Sequence, residues 1–248
     1  MKTWKNGTLH AAREVAGNSD QLTSLGFLFG LSGYPAEVQK NGGSITKTAL
    51  KYLENHDHSR FVCNFGTIVS DNELLKEGDC ALWYRAQPYL IGLFTARGIP
   101  MLWQGQEFGE NYCLPQEGLG RVLLYRPVRW EYFYTSEGRS LIHLIRKLVK
   151  LRRNNPQFSR GEHYFYNDFA LYQSRNIMLF SRGYEGVFSL VALNFGVKDQ
   201  AVTFKFPFSG NYLEELHGLD NLMGISAGSE VELKVPGNYG RIWTVKVE

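Results

Sequence analysis

Cysteine is scarce in this sequence, and its placement excludes two kinds of small scaffold. The 248 residues include three cysteines, Cys63, Cys80 and Cys113, an odd number with no CxxC spacing. A disulfide framework needs paired cysteines, and a structural zinc site needs closely spaced ligands. The sequence therefore indicates neither a disulfide scaffold nor a metal site. It favours a reducing compartment, which we expect to be the cytoplasm.

The sequence also lacks a strong charge imbalance and any long apolar run. Lysine and arginine total 27 against 24 aspartates and glutamates, a formal net charge of +3, and the basic residues are dispersed. Nucleic-acid binding typically shows a basic stripe, and a membrane-spanning helix needs about 20 apolar residues. We therefore expect no nucleic-acid partner and no membrane partner, and nothing in the sequence calls for a cofactor.

Polar residues crowd directly behind a short apolar stretch in KYLENHDHSRF, residues 51–61. The apolar pattern over 49–54 predicts a strand. Strand ends are where barrel enzymes hold their chemistry. The polar residues that follow this strand are Asn55, His56 and Asp57.

A second apolar stretch, 99–103, predicts a strand buried on both faces. It follows an amphipathic helix predicted near 80–97, which Gly98 is expected to end as a C-terminal cap. Two such strands joined through a helix are expected to be adjacent and parallel, with a right-handed crossover. The polar residues behind both strands would then lie at the same end of the sheet.

The remaining periodicity divides the chain at about residue 158. Leucine and isoleucine at helical spacing over 141–151 predict a helix that ends before Pro156. From about Gly161, alternating apolar and polar residues between turn residues predict only strands. The sequence therefore predicts an α/β segment followed by an all-β, antiparallel domain.

The two strand-end stretches, taken together and in this order, resemble the last two strand motifs of the α-amylase superfamily, glycoside hydrolase family 13. The first is ENHD at 54–57, and the second is GIPMLWQGQEFG at 98–109. Arg129–Trp130 ahead of the 141–151 helix, and ALNF at 192–195, are similar to that family's eighth helix and C-terminal β domain.

The resemblance covers about residues 45–248 and implies a fold. A complete (β/α)8 barrel needs about 250 residues, whereas the β domain begins at about residue 159. The expected architecture is the last two or three βα units of a TIM barrel over 1–158. A C-terminal antiparallel β-sandwich follows over 159–248.

The resemblance also implies roles at the barrel mouth. Asp57 would be the ionised carboxylate that stabilises an oxocarbenium-like transition state, and His56 would donate to a hydroxyl of the same sugar. Glu107 is expected to fix neighbouring loops through a buried ion pair or backbone hydrogen bonds, and the alternative is direct contact with the sugar. The expected substrate-binding residues are His56, Asn55, Arg60 and Gln106.

Each motif alone has a plainer structural explanation, and one family motif is missing. NHD after a strand is often a turn or a cap, and a lone histidine is more often structural. The G-x-R-x-D motif that carries the family's nucleophile is not in the sequence, and nothing before Lys51 resembles the strand with its acid/base glutamate. We therefore expect this chain alone to hydrolyse no α-glucan. A fragment, one half of a split enzyme and a truncated non-catalytic protein all stay open.

The expected function is α-glucan or oligosaccharide processing of the α-amylase type, by a retaining hydrolase or transglycosidase when complete. We expect a partner chain carrying the earlier strands, or self-association, because a truncated sheet exposes a strand edge. The alternative is a non-catalytic carbohydrate-binding or assembly module. In that module aromatic residues such as Trp130, Tyr132 and Tyr134 would stack on sugar faces.

Overall fold

Helices occupy much of the first part of the chain, and strands dominate the rest. The computed structural model describes residues 6–17, 22–31, 38–40, 43–45, 49–115, 117–126 and 128–247. The helices are α1 (Gly7–Ala16), α2 (Leu22–Gly30), α3 (Gln87–Thr95), α4 (Gly120–Leu123), α5 (Ser136–Asn154) and α6 (Gln157–Arg160). The strands are β1 (Val38–Lys40), β2 (Gly43–Ile45), β3 (Leu50–Lys51), β4 (Thr67–Ile68), β5 (Glu77–Gly78), β6 (Ile99–Pro100), β7 (Glu162–Phe165), β8 (Ile177–Tyr184), β9 (Val187–Asn194), β10 (Gln200–Lys205), β11 (Gly210–Glu214), β12 (Leu222–Ile225), β13 (Glu230–Val235) and β14 (Tyr239–Lys246).

Helix α5 confirms the helix predicted over 141–151, which was expected to end before Pro156. The Thr135 hydroxyl caps its first turn by accepting from the Gly138 amide at 3.0 Å. Its last turn carries Arg152 and Arg153, which suit the negative end of the helix dipole. The predicted apolar stripe is buried, and its members are Leu141, Leu144, Ile145, Leu148 and Leu151.

Strands β3 and β6 pair in parallel, as predicted. Leu50 lies opposite Ile99, and the Ile99 amide donates to the Ala49 carbonyl at 2.9 Å. The burial on both faces predicted for 99–103 is wrong, because Ile99 is 52% exposed, and Leu50 opposite it is 47% exposed. Within the described part of the chain this sheet has only these two strands, so neighbouring strands cover neither side chain.

The helix predicted near 80–97 is shorter and starts differently. Residues Cys80–Ala86 form a 3-10 helix, and α3 ends at Thr95. Gly98 is therefore not its cap, which corrects the prediction. Gly98 instead has a φ of +93°, and a Cβ there would lie 2.5 Å from the Ala49 carbonyl oxygen. Its function is to let the two parallel strands approach closely.

The β part is built from antiparallel strands, as predicted. Six of them form one sheet in the order β12-β11-β14-β9-β8-β7, and β10 pairs with β13. A hydrophobic cluster joins the β10–β13 pair to one face of the larger sheet, and its members include Ile177, Leu190, Val202, Phe204, Leu233 and Trp243. The alternation over 202–206 and 231–235 therefore reflects one buried face.

A second hydrophobic core joins the helical part to the β part. It contains Phe29 of α2, Tyr89 of α3 and Leu193 of β9. Gly92 of α3 lies so close to this layer that a Cβ would come within 2.5 Å of the Phe29 ring and 3.0 Å of Leu193. The boundary expected at residue 158 falls inside α6, and the division into two domains stays a prediction. None of the described helices combines the length and apolarity that a membrane span needs.

Candidate functional site

The turn behind β3 is shaped by the side chain of Asn55. Its Oδ1 accepts from the Asp57 amide at 3.0 Å, and its carbonyl accepts from the His58 amide at 3.3 Å. This is the way asparagine commonly stabilises a tight turn. Asn55 is itself buried. The turn therefore presents His56 and Asp57 to solvent.

His56 and Asp57 form an exposed pair at this turn. The His56 Nε2 lies 3.4 Å from the Asp57 Oδ1, and the two side chains are 63% and 66% exposed. The His56 ring centroid lies 5.7 Å from that of Trp103, which belongs to the segment behind β6. The segments that follow the two parallel strands are thus in contact. The Asp57 carboxylate and the His56 imidazole are accessible to solvent at this contact.

Gln106 and Glu107 follow Trp103 in a 3-10 helix, Gln106–Phe108. Gln106 is buried, and its Oε1 accepts from the Trp103 amide at 3.2 Å. Glu107 is half-buried, and its side chain makes no hydrogen bond or ion pair to the described residues. Gln106 therefore fixes the backbone of this segment, while the structure gives Glu107 none of the bonds expected of it.

A buried ion pair lies beneath the His56–Asp57 turn. Arg60 Nη1 donates to Glu54 Oε1 at 2.8 Å, and both side chains are almost fully buried. Glu54 Oε2 accepts from the Phe61 amide at 2.5 Å, and Arg60 Nη2 donates to the Gln104 carbonyl at 2.7 Å. Burial raises the pKa of Glu54, and the Arg60 guanidinium works against that rise. Arg60 was expected to bind substrate. Its side chain is instead buried behind the turn, where it links Glu54 after β3 to the Gln104 carbonyl after β6.

The buried ion pair expected at Glu107 is formed by Glu110 instead. The Glu110 carboxylate is fully buried and accepts from Arg129 Nε at 2.8 Å and from the Arg129 amide at 2.7 Å. Arg129 also reaches Glu77 and lies over the Tyr132 ring, 4.8 Å from its centroid. Two carboxylates, Glu107 and Glu110, follow β6 within ten residues, so sequence spacing alone did not single out the one that meets Arg129.

Helix α1 supplies contacts that the sequence did not predict. Arg13 Nη2 donates to the Ser59 carbonyl at 2.8 Å, and the His10 ring packs edge-on against His58. His58 Nδ1 lies 2.6 Å from Asn55 Oδ1. Burial, together with the charge of Arg13, lowers the pKa of His58 to about 4. A neutral His58 can donate to Asn55, so α1 and the turn share one network.

Two more arginines missed by sequence reasoning bind the turn from its outer side. Arg126 Nη1 donates to the His56 carbonyl at 2.8 Å, and Arg121 Nη2 donates to the Asp57 carbonyl at 2.5 Å. Both lie in the irregular 104–137 region, where no periodic signal marks individual residues. Among the residues that the structure describes, no group of histidine, cysteine, aspartate or glutamate side chains is arranged to hold a metal ion.

No protein-family model matches the chain. Among curated relatives, alpha-amylase 2 of Dictyoglomus thermophilum is 29% identical over 116 residues, which make up 45% of this chain and 17% of that protein. Alpha-amylase MalA of Haloarcula japonica is 24% identical over 199 residues, 79% of this chain and 24% of that protein. The similarity to the second relative includes most of the chain.

Solved structures show the same fold. A crystal structure of an Anoxybacillus α-amylase has a TM-score of 0.63 at 20% identity, covering 97% of this chain and 46% of that one. The chain is similar to α-amylases in sequence and in fold. A second α-amylase, from Geobacillus thermoleovorans and complexed with acarbose, has a TM-score of 0.54 at 22% identity and covers 81% of this chain and 39% of that one. The chain thus spans less than half the length of each of these four proteins. The resemblance predicted from the two strand-end motifs is confirmed.

Proposed function

We propose that this chain contributes the third catalytic carboxylate and the C-terminal β domain to an α-amylase-type glycosidase or transglycosidase acting on α-glucans. The observation that carries the proposal is the exposed His56–Asp57 pair at the end of a parallel strand pair, in contact with Trp103. In this proposal β3, α3 and β6 belong to a partial (β/α)8 barrel over 1–158. The β domain over 159–248 covers its helices.

The proposed chemistry assigns a different task to each member of the pair. The Asp57 carboxylate stabilises the positive charge that develops on the sugar ring, and the His56 ring donates to a sugar hydroxyl. The His56 ring, which lies beside Trp103, would contact the same sugar. Both groups act on a transition state, so their effect depends on groups that start the reaction.

The nucleophile and the acid/base are proposed to come from outside residues 1–248. A retaining mechanism needs two carboxyl groups about 5 Å apart, one of them free to attack the sugar. Glu54 and Glu110 are buried and bound to Arg60 and Arg129, so neither can take that role. We therefore propose that this chain binds α-glucans and cleaves none by itself.

A protein partner is part of the same proposal. Leu50 and Ile99, which lie opposite each other on β3 and β6, are about half exposed. Apolar strand residues of this kind invite pairing or packing with another chain. A chain that carries the missing strands, or a second copy of this one, would cover them.

The decisive experiment compares ligand binding with turnover. Acarbose and maltotetraose are titrated calorimetrically into the purified chain, and release of reducing sugar from starch is assayed in parallel. We expect binding without turnover, and a loss of affinity of about tenfold or more for Asp57→Asn, which equals about 1.4 kcal/mol. Asp71→Asn, an exposed aspartate on a loop, is the matched control and should bind as the wild type does.

Two results would contradict the proposal. Equal affinities of Asp57→Asn and the wild-type chain would remove Asp57 from the sugar site. Turnover by a clean monomer that Asp57→Asn abolishes would show that residues 1–248 hold every catalytic carboxylate.

A second candidate is a carbohydrate-binding module without catalysis. Trp130 and Tyr134 are more than half exposed, and the Trp130 ring packs on buried Phe108 with 5.5 Å between centroids. Exposed aromatic faces can stack on sugars. Tyr132 is less suited, because its hydroxyl is bound to Asn111 Oδ1 at 3.2 Å. This candidate is favoured if Trp130→Ala weakens maltotetraose binding and Asp57→Asn leaves it unchanged.

A further inference from the structure

The peptide group that precedes Asp57 is held from both sides. Its carbonyl, which belongs to His56, accepts from Arg126 Nη1 at 2.8 Å. Its N–H, which belongs to Asp57, donates to Asn55 Oδ1 at 3.0 Å. Rotation of this peptide would break both bonds, so its orientation is fixed.

The peptide group that follows Asp57 is held in the same manner. Its carbonyl accepts from Arg121 Nη2 at 2.5 Å, and its N–H, which belongs to His58, donates to the Asn55 carbonyl at 3.3 Å. Asn55 therefore fixes the inner side of the turn, and the two arginines fix the outer side. The direction of the Asp57 Cα–Cβ bond is set by these two peptide groups.

The two arginines also depend on each other. Arg126 Nη2 donates to the Arg121 carbonyl, and Arg121 Nη1 donates to the Pro115 carbonyl at 3.4 Å. They reach the turn across 64 and 70 residues of sequence. Neither guanidinium forms an ion pair with a described carboxylate. Their charge is therefore directed at the backbone of the turn, where charged donors form stronger hydrogen bonds than neutral ones.

We propose that Arg121 and Arg126 are positioning residues that set the direction of the Asp57 carboxylate. The Asp57 side chain is 66% exposed, so side-chain packing does not orient it. A misplacement of about 1 Å can cost on the order of 10²-fold in rate. The inference rests on the proposed function of Asp57 and adds to it two residues of the segment between β6 and α5, Arg121 of α4 and Arg126.

The test measures the turn itself and its ligand in the full chain. Arg121→Ala/Arg126→Ala is compared with Arg121→Lys/Arg126→Lys, and Arg146→Ala, an exposed arginine of α5, is the control. We expect amide hydrogen exchange at Asp57 and His58, followed by NMR, to rise about tenfold or more in the alanine variant. The lysine variant keeps the charge and should recover part of the protection, and the control should exchange as the wild type does.

Acarbose titration gives the second readout. We expect the alanine variant to bind about tenfold more weakly than the wild type, and to cause no further loss when Asp57→Asn is already present. An equal loss in the Asp57→Asn background would overturn the inference, because the arginines would then act elsewhere.

The exchange measurement decides the inference independently of the ligand. Unchanged exchange at Asp57 and His58 would overturn it, whether or not acarbose binds. A wild-type chain that fails to bind acarbose would contradict the proposed function alone. If the alanine variant does not fold, the single variants Arg121→Lys and Arg126→Lys are measured in the same way.

Discussion

At the scale of single residues, the Glu54–Arg60 pair supports the turn that carries Asp57. Burying two charges is costly, and their attraction offsets that cost only when both are present and hydrogen-bonded. Glu54 and Arg60 satisfy this condition through the Phe61 amide and the Gln104 carbonyl. The pair thus joins the ends of β3 and β6 at a point that solvent does not reach.

We expect Arg60→Met to lower the free energy of unfolding by about 3–5 kcal/mol, because it leaves the Glu54 carboxylate buried without its cation. Urea denaturation measures the loss. Arg146→Met on the exposed face of α5 is the control and should change stability by less than about 0.5 kcal/mol. Adding Glu54→Leu to Arg60→Met should recover most of the loss. If the free energy of unfolding of Arg60→Met lies within about 1 kcal/mol of the wild-type value, which is roughly the ordinary effect of a point mutation, the pair does not stabilise this turn.

At the scale of elements, the close approach of β3 and β6 depends on Gly98. Its φ of +93° is strained for any side chain, and a Cβ would meet the Ala49 carbonyl oxygen. Gly118 offers a matched comparison, because its φ is +82° and no atom lies within 4 Å of its Cβ position. The two glycines therefore share a positive φ and differ in how closely other atoms surround the Cβ position.

We expect Gly98→Ala to lower the free energy of unfolding by at least about 1 kcal/mol more than Gly118→Ala does. In Gly118→Ala only the backbone strain of about 1 kcal/mol applies. Chemical denaturation of both variants under the same conditions gives the difference. Equal losses would mean that the strands do not approach as closely as described.

His163 on β7 makes the contact with α2 sensitive to acid. Its ring stacks on Phe180 and lies 2.7 Å from the position of a Cβ at Gly30. Burial, with nearby Arg182, Lys51 and Arg97 adding to it, lowers the pKa of His163 to about 3. The folded state therefore keeps the imidazole neutral well below the pH at which the unfolded chain binds a proton.

Because the folded pKa is the lower one, this contribution to stability is complete above about pH 6.5 and is lost as the pH falls toward 3. We expect His163 to account for a loss of about 2 kcal/mol between pH 8 and pH 5. Urea unfolding at both pH values should show a smaller loss for His163→Phe, and an unchanged one for His143→Phe on the exposed face of α5. Parallel losses in the wild type and His163→Phe would contradict this account.

How far sequence predicted these elements depended on the range of the interactions. Helix α5 was predictable because its apolar stripe and its cap are local features. The lengths of β3 and β6 and the exposure of their side chains were not predictable, because both depend on which other strands pair with them. The place of His56 and Asp57 directly behind a strand was predictable because a strand end marks it, and their part in a sugar site stays a prediction. The partners of Glu110 and Arg60 were not predictable, because a sequence does not say which buried charges meet.

At the scale of the whole molecule, one core extends through both parts of the chain. Phe29, Gly92 and Leu193 meet in it although they come from α2, α3 and β9. Cooperative unfolding follows when the same side chains stabilise both parts. A chain that folds around a shared core should not unfold domain by domain.

We expect a single unfolding transition whose midpoint is the same by near-ultraviolet and far-ultraviolet circular dichroism. Leu193→Ala should lower stability by about 2–5 kcal/mol and shift both probes together, because it opens a cavity in the shared core. Leu213→Ala, which removes an exposed side chain of β11, is the control. Two separate transitions, with only the later one moved by Leu193→Ala, would indicate independent domains.

The connection between α6 and β7 has a further property. Buried Arg182 of β8 donates to carbonyls on both sides of it, at Thr95 and Phe158 before it and at Glu162 after it, and also to the Gly161 carbonyl within it. A protease that cut the backbone next to Gly161 would thus sever one covalent bond and leave this arginine and the shared core in place. The nicked protein would run as two bands on a denaturing gel and elute as one species from a native column.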